Sequence, residues 1–207
     1  MLYNGYGEHN IQGIGDKHVP FIHNVFNTDF LIGVSDRATN TLNMVFNTEA
    51  GQNYLNHRTG VSEEALGGLA DLGLSSIANI LGAIKVCRYL GLGSNDVVLT
   101  VATDGAEMYG TEISKTSEHD FGGRFDELSA AESYGQFILG TTTDNMEEMT
   151  LRDRERVFNL GYYTWVEQQG VSVEEFDRRR EPEFWHQLMD NVPVWDQMIE
   201  AFNGRTC

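Results

Sequence analysis

Basic residues are scarce in this sequence: 14 lysines and arginines stand against 31 aspartates and glutamates, a formal charge of −17. Lysine occurs only as Lys17, Lys85 and Lys115. Phosphate backbones and anionic lipids are gripped by concentrated basic patches, so this balance argues against a nucleic-acid or membrane-surface partner. The acidity reads instead as solubility and self-repulsion. Cysteine is nearly absent. Cys87 and Cys207 are too few for a disulfide framework and lack metal-ligand spacing, which points to a reducing, cytoplasmic setting. Cys87 falls in an apolar helical pattern and is expected to be a buried thiol. Long hydrophobic runs are missing too: none reaches transmembrane length, and the first residues lack the basic-then-apolar layout of a signal peptide.

What is present suffices for a core. The chain has 207 residues, 41% hydrophobic and 11% aromatic, an ordinary globular composition without repeats or low-complexity stretches. Residues 1–28 read as loop with a short helix near "VPFIHNVF". "DFLIGVSD" reads as a buried strand leading to a helix cap at Ser35 or Asp36, and "RATNTLNMVFNTEAGQNYLNHR" continues at helical spacing. "SSIANILGAIKVCRYLGLG" opens on serines, carries Ile77, Ile80, Leu81, Ile84 and Leu90 largely on one face, and stops at glycines. "DVVLTVATDG" is a β-branched run bounded by turn residues, expected as a buried strand. Strand and helix alternation over the first 110 residues predicts an α/β layer. Beyond it, "TSEHDFGGRFDEL" reads as loop. Helices with aromatic faces follow: Phe158, Tyr162 and Trp165, then Phe184, Trp185, Leu188, Trp195, Ile199 and Phe202. Ser172 and Glu175 have capping-box spacing.

Three stretches could carry chemistry. "GEHNIQGIGDKHVP" brings Gly13 and Gly15 close together, a spacing that lets backbone approach a ligand. As a dinucleotide fingerprint it fails, since a third glycine and a preceding strand are missing. His9, His18 and His23 are nine and five residues apart in loop, poor geometry for a metal. "GLSSIAN" resembles a nucleophile elbow around Ser75, but Ile77 replaces the final glycine and no Asp/His pair can be argued for it. A helix start capped by Ser75 or Ser76 explains it better. In "VATDGAEMYG", Thr103 and Asp104 end the expected strand, where open α/β sheets bind ligands; a plain Asp-Gly turn is the competing reading.

Taken in order, "IQGIG" with "VP", "GVSD", "GLSSIANILGAIKVCRYLG" and "DVVLTVATDG" resemble the C-terminal half of cysteine synthase, a fold-type II pyridoxal-phosphate enzyme related to tryptophan synthase β and threonine synthase. Those relatives read roughly "IQGIG…VP", "GISSGA…A" and "V…DSGERY". The resemblance covers about residues 8–110. With "NLGYYTWVEQQGVS" in the tail, the chain looks most like a branch of larger pyridoxal-phosphate proteins, some labelled as a β subunit.

The resemblance implies a partial three-layer α/β/α sheet domain over 1–110, the C-terminal portion of the cofactor-binding domain, with a helical extension over 111–207. It implies that Gly13, Ile14 and Gly15 line pyridoxal 5'-phosphate, and that Thr103 or Asp104 faces the pyridine nitrogen. Ser75 and Ser76 match "GISS" near the active site. A neutral hydroxyl at the nitrogen suits β-elimination and β-replacement on an amino acid. The family's S-x-K-x-R motif with the Schiff-base lysine, its substrate-carboxylate loop and its glycine-rich phosphate loop have no counterpart here. The lysine is therefore expected from an N-terminal half or partner subunit, and the protein from a homo-oligomer that is a lyase or transferase only when completed. Asp16, Lys17 and His18 depart from the relatives and are substrate-side candidates; Lys17 is also the candidate for an imine. The alternatives are a non-catalytic binding or regulatory module that keeps the fold, and an unrelated serine hydrolase using Ser75 or Ser76.

Overall fold

The apolar rows of the sequence build helices far more than strands. A computed structural model describes residues 3–11, 14 and 16–206, and among them the chain is mostly helical with one two-stranded sheet. Strand β1 (Phe30–Ile32) pairs with β2 (Met146–Glu148). The pairing is antiparallel: Met149 N donates to Asp29 O at 2.8 Å, and Gly33 N donates to Asn145 O at 2.8 Å. Helices follow β1 as α1 (Asp36–Asn47), α2 (Glu49–Tyr54), α3 (Glu63–Leu69), α4 (Leu74–Leu90), α5 (Gly110–Phe121) and α6 (Glu127–Tyr134). After β2 come α7 (Leu151–Leu160), α8 (Val173–Arg178), α9 (Pro182–Asp190) and α10 (Val192–Thr206).

The expected three-layer α/β/α sheet domain is not what forms. Its key strand, "DVVLTVATDG", is extended, yet residues 94–103 are exposed throughout, with Val97 at 83% and Leu99 at 92%. Among the described residues its backbone from Val97 to Ala102 makes no backbone–backbone hydrogen bond. A β-branched run becomes a buried strand only when neighbouring strands satisfy its N–H and C=O groups; none is present among the described residues. "DFLIGVSD" likewise yields only the three residues of β1.

The chain divides into two compact units. One comprises Glu8–Gly15 and Leu31–Glu147. Its core is the face of α1 formed by Ala38, Leu42, Val45 and Phe46, packed with Leu55, Leu66, and Ile77 and Leu81 of α4. That spacing is one stripe of a 3.6-residue helix, and a fully buried side chain such as Leu42 contributes about 1.5–3 kcal/mol by leaving water. Ser35 starts α1, its Oγ accepting from Ala38 N at 3.2 Å. Thr48 ends α1 and caps α2 through Gly51 N at 3.2 Å, so the expected continuous helix is broken there. Helix α4 ends at Gly91 in the left-handed region, φ 66°. Its start differs from expectation: Gly73 is the cap, with no side-chain bond, and the serines lie inside the first turn. Cys87 is only partly buried. "TSEHDFGGRFDEL" is not loop; it contains the end of α5, stopped by Gly122 at φ 59°, and the Asp126 cap of α6.

The other unit comprises Met1–Gly7, Asp16–Phe30 and Glu148–Cys207. Its aromatic core joins Phe158 of α7 to Phe176 of α8, ring centroids 4.6 Å apart, and to Phe26 at 5.5 Å. The buried Arg179 guanidinium lies 4.2 Å from the Phe21 ring centroid and 4.4 Å from that of Phe176. It donates to Phe21 O at 2.5 Å. Burial, together with the neighbouring Arg180 charge, pulls its pKa down to about 10, so it remains a cation at neutral pH. Ser172 caps α8, accepting from Glu175 N at 3.1 Å. Residues of α10 are exposed, Trp195, Ile199 and Phe202 among them. No single helix among the described residues is long and apolar enough to cross a membrane; α3 and α4 pass that test only as a pair bent by 113°.

Candidate functional site

At the start of α4 the backbone comes close to the end of the extended run. Gly73 N donates to Asp104 O at 2.7 Å, and a Cβ on Gly73 would sit 2.5 Å from Asp104 Oδ1. Only glycine allows this approach without displacing the carboxylate. Leu74, fully buried with Ile11 and Tyr109, anchors the turn beneath. With Leu74 pinned inward, the next two residues of α4 present their hydroxyls to the 103–104 segment.

The result is one polar cluster drawn from both segments. Ser75 Oγ donates to Asp104 Oδ1 at 3.0 Å and lies in close contact with Thr103 Oγ1. Thr103 Oγ1 donates to Asp104 Oδ1 at 3.1 Å, and Thr103 N donates to Ser76 Oγ at 3.3 Å. Tyr109 OH donates to Asp104 Oδ2 at 2.5 Å. Burial pushes the Asp104 carboxyl up, but hydrogen bonds from Tyr109, Ser75 and Thr103 outweigh it, so its pKa lies below the ordinary value of 3.8. Ser75, Ser76 and Tyr109 are buried, whereas Thr103 is exposed. The cluster is thus an anchored carboxylate ringed by hydroxyls, open to solvent at one of them.

Four residues singled out in the sequence, Ser75, Ser76, Thr103 and Asp104, meet here across 27 to 29 positions of chain. Tyr109 and Gly73 were not singled out. A signal for Tyr109 is present, because a tyrosine stands near the end of "TDGAEMYG" as it does in the "DSGERY" of the family the sequence resembles. Gly73 gave no signal, since the demand on it arises from tertiary contact.

The front of the chain is divided. Gly13 and Gly15 lie outside the described residues, as does Cys207. Ile14 is half exposed, its N–H donating to Ile11 O at 3.3 Å. Asp16, Lys17 and His18 belong to the other unit, where they close a small turn. His18 N donates to Asp16 Oδ1 at 2.9 Å, Gly7 N donates to Lys17 O at 2.9 Å, and His18 bridges Tyr6. Each histidine of the expected loop has local work: His9 Nδ1 accepts from Ile11 N at 3.2 Å, and His23 Nε2 lies 3.1 Å from Thr28 Oγ1. Among the described residues no three His, Cys, Asp or Glu side chains gather as a metal site.

Within this unit the lysines are committed elsewhere. Lys85 pairs with Asp144 at 3.0 Å and Lys115 with Glu112 at 2.6 Å. Ser75 has Thr103 and Asp104 as its side-chain partners, not a histidine, so it lacks the base a serine nucleophile needs. For pyridoxal phosphate the donor set fits one contact, that of the ring nitrogen. Thr103 can turn its hydrogen outward while Ser75 and Tyr109 keep Asp104 satisfied. Compared with protein-family models, curated proteins and solved structures, the chain matches none of them.

Proposed function

We propose that this chain supplies one wall of a pyridoxal-phosphate site in an enzyme acting on an amino acid by β-elimination or β-replacement, with the lysine and phosphate loop coming from an N-terminal half or partner subunit. The observation that carries this is the convergence of Ser75, Ser76, Thr103 and Asp104, picked out by resemblance, on one hydrogen-bonded cluster. When bound, the cofactor supplies an electron sink for bonds at the amino acid's Cα and Cβ.

This chain's own residues hold and orient. Asp104 is held by donation from Ser75 and Tyr109, which leaves the single Thr103 hydrogen able to turn away from it. Thr103 would be the residue to meet the pyridine nitrogen, and a neutral hydrogen bond donated there would leave the ring unprotonated and suit chemistry at Cβ. The exposed apolar run at Val97, Leu99 and Val101 supports a completing partner, because an extended apolar run that no strand pairs is a ready docking edge.

Coexpression with the polypeptide encoded immediately upstream tests the proposal. The complex is expected to retain pyridoxal phosphate, and borohydride is expected to fix it to a lysine of the companion. Leu99→Asp should leave the isolated chain folded, Leu99 being 92% exposed, while abolishing association. A companion without a borohydride-trappable lysine, or Leu99→Asp without effect on association, would overturn it.

A further inference from the structure

A cavity of about 290 Å³ opens in the unit built on α1 and α4, and it shares no residue with the Ser75–Asp104 cluster. Ala38 and Leu81 give it an apolar floor, Ser35 and the first turn of α1 form one side, and the segment from Thr141 to Asn145 forms the rim. Into this lining comes Lys85, only 7% exposed. A buried ammonium is costly unless its three hydrogens are used. Two are: Lys85 Nζ donates to Asp144 O at 2.5 Å and to Asp144 Oδ1 at 3.0 Å. Among the described residues nothing takes the third.

Fastening the rim does not require this lysine. Arg88, one turn further along α4 and exposed, already grips the same segment through Thr141 O, and through Leu139 O at 3.1 Å. Lys85 instead places a cation in the cavity wall. Beside it stands an anion with spare capacity. Asp144 Oδ1 accepts from Thr142 and Lys85, whereas among the described residues Oδ2 accepts only from Asn145 Nδ2 at 3.0 Å. The hydrogen bond from Thr142, then that from Lys85, hold the Asp144 carboxyl below its ordinary pKa, so it stays charged at neutral pH. Asn145 keeps this arrangement at φ 52°, a left-handed position that asparagine tolerates better than most residues. On the cation's side, the Ser35 hydroxyl accepts from Ala38 N and retains its own hydrogen to donate. The positive end of α1 adds to that side. Asp36, the acid in that first turn, accepts from Asn10 N at 3.3 Å.

A donor-rich cationic side and an acceptor-rich anionic rim, in one small apolar-floored cavity, complement a molecule that carries both charges. We propose that this cavity binds a small α-amino acid as its zwitterion. The carboxylate is taken by the remaining Lys85 hydrogen and the Ser35 hydroxyl, and the ammonium by Asp144. A volume of about 290 Å³, at the lower edge of the roughly 300–1,000 Å³ of ligand pockets, suits a ligand the size of a single free amino acid. The site is independent of the pyridoxal-phosphate wall.

Isothermal titration of the full chain, without pyridoxal phosphate, with glycine, L-alanine and L-serine tests it. Acetate, methylamine and inorganic phosphate serve as half-ligands and as a plain anion. At least one amino acid should bind with 1:1 stoichiometry, and the half-ligands and phosphate at least about tenfold more weakly. D144N, at an exposed side chain, should weaken amino-acid binding at least about tenfold with an unchanged circular-dichroism spectrum. K85M should abolish binding; if it fails to fold, D144N alone decides. T103V should leave the affinity unchanged, which separates this site from the pyridine contact. No binding by any of the three amino acids, phosphate or acetate binding as tightly, or an unaltered affinity in D144N would overturn the proposal.

Discussion

Gly73→Ala puts the close approach at the candidate site under direct test. The backbone at Gly73 has φ −72° and ψ 179°, which alanine adopts without strain. Removing glycine from an unstrained position by itself stabilises by about 0.4–1 kcal/mol, through the unfolded chain. Against that, the new Cβ would lie 2.5 Å from Asp104 Oδ1 and 2.6 Å from Asp104 O. The second of these is backbone and cannot swing aside, so the steric term dominates. Overpacking of this kind costs about 1–3 kcal/mol, leaving a net loss of up to about 2.6 kcal/mol after the entropic gain. For a chain of this size that is a fall of up to about 10 °C in Tm. The substitution should also separate Asp104 from Ser75 and return its carboxyl towards 3.8. Urea melts give the stability, and a carbon-13 NMR titration of Asp104 gives the pKa. Gly93→Ala is the control, with nothing within 4 Å of its Cβ; it should be neutral or slightly stabilising. A Gly73→Ala protein as stable as wild type, with an unchanged Asp104 titration, would refute the close approach.

Other outcomes follow from the same geometry. Gly82 lies inside α4 with only Ile32 Cδ1, at 3.9 Å, near its missing Cβ, so Gly82→Ala should stabilise by about 0.5–1 kcal/mol in a urea melt. Arg179→Lys should cost about 2–3 kcal/mol in the same assay, because an ammonium cannot both bond Phe21 O and lie over the Phe21 and Phe176 rings. Asp104 has a folded pKa below its unfolded value, so its contribution to stability is present above 3.8 and is lost as pH falls through the folded value. Ser75→Ala removes one donor and should raise that pKa, narrowing the acid-side loss seen in a pH series of melts.

Local signals were legible where chain-local physics decides the outcome. Ser35, Ser172 and Gly91 mark helix ends because capping is settled within a few residues. The stripe Leu42, Val45 and Phe46 is core because its period is helical. The failure was Val97–Val101, whose β-branched run carries a strand preference that needs neighbours the described residues do not supply. Helix α5 was hidden by its Ser, His and Gly content, which imitates loop, although Gly122 was in fact its stop. For the site, Ser75, Ser76, Thr103 and Asp104 were found by resemblance. Gly73 and the Lys85–Asp144 pair depend on contacts across 31 and 59 positions, which no local pattern encodes.

The central claim is that Thr103 meets the pyridine nitrogen, and the affinity of the reconstituted complex for pyridoxal phosphate tests it most directly. The account predicts that Thr103→Val weakens cofactor retention at least about tenfold and alters the visible absorption of the bound cofactor, while Thr103→Ser restores both. Equal retention and an unchanged spectrum in Thr103→Val, with the complex intact, would contradict it.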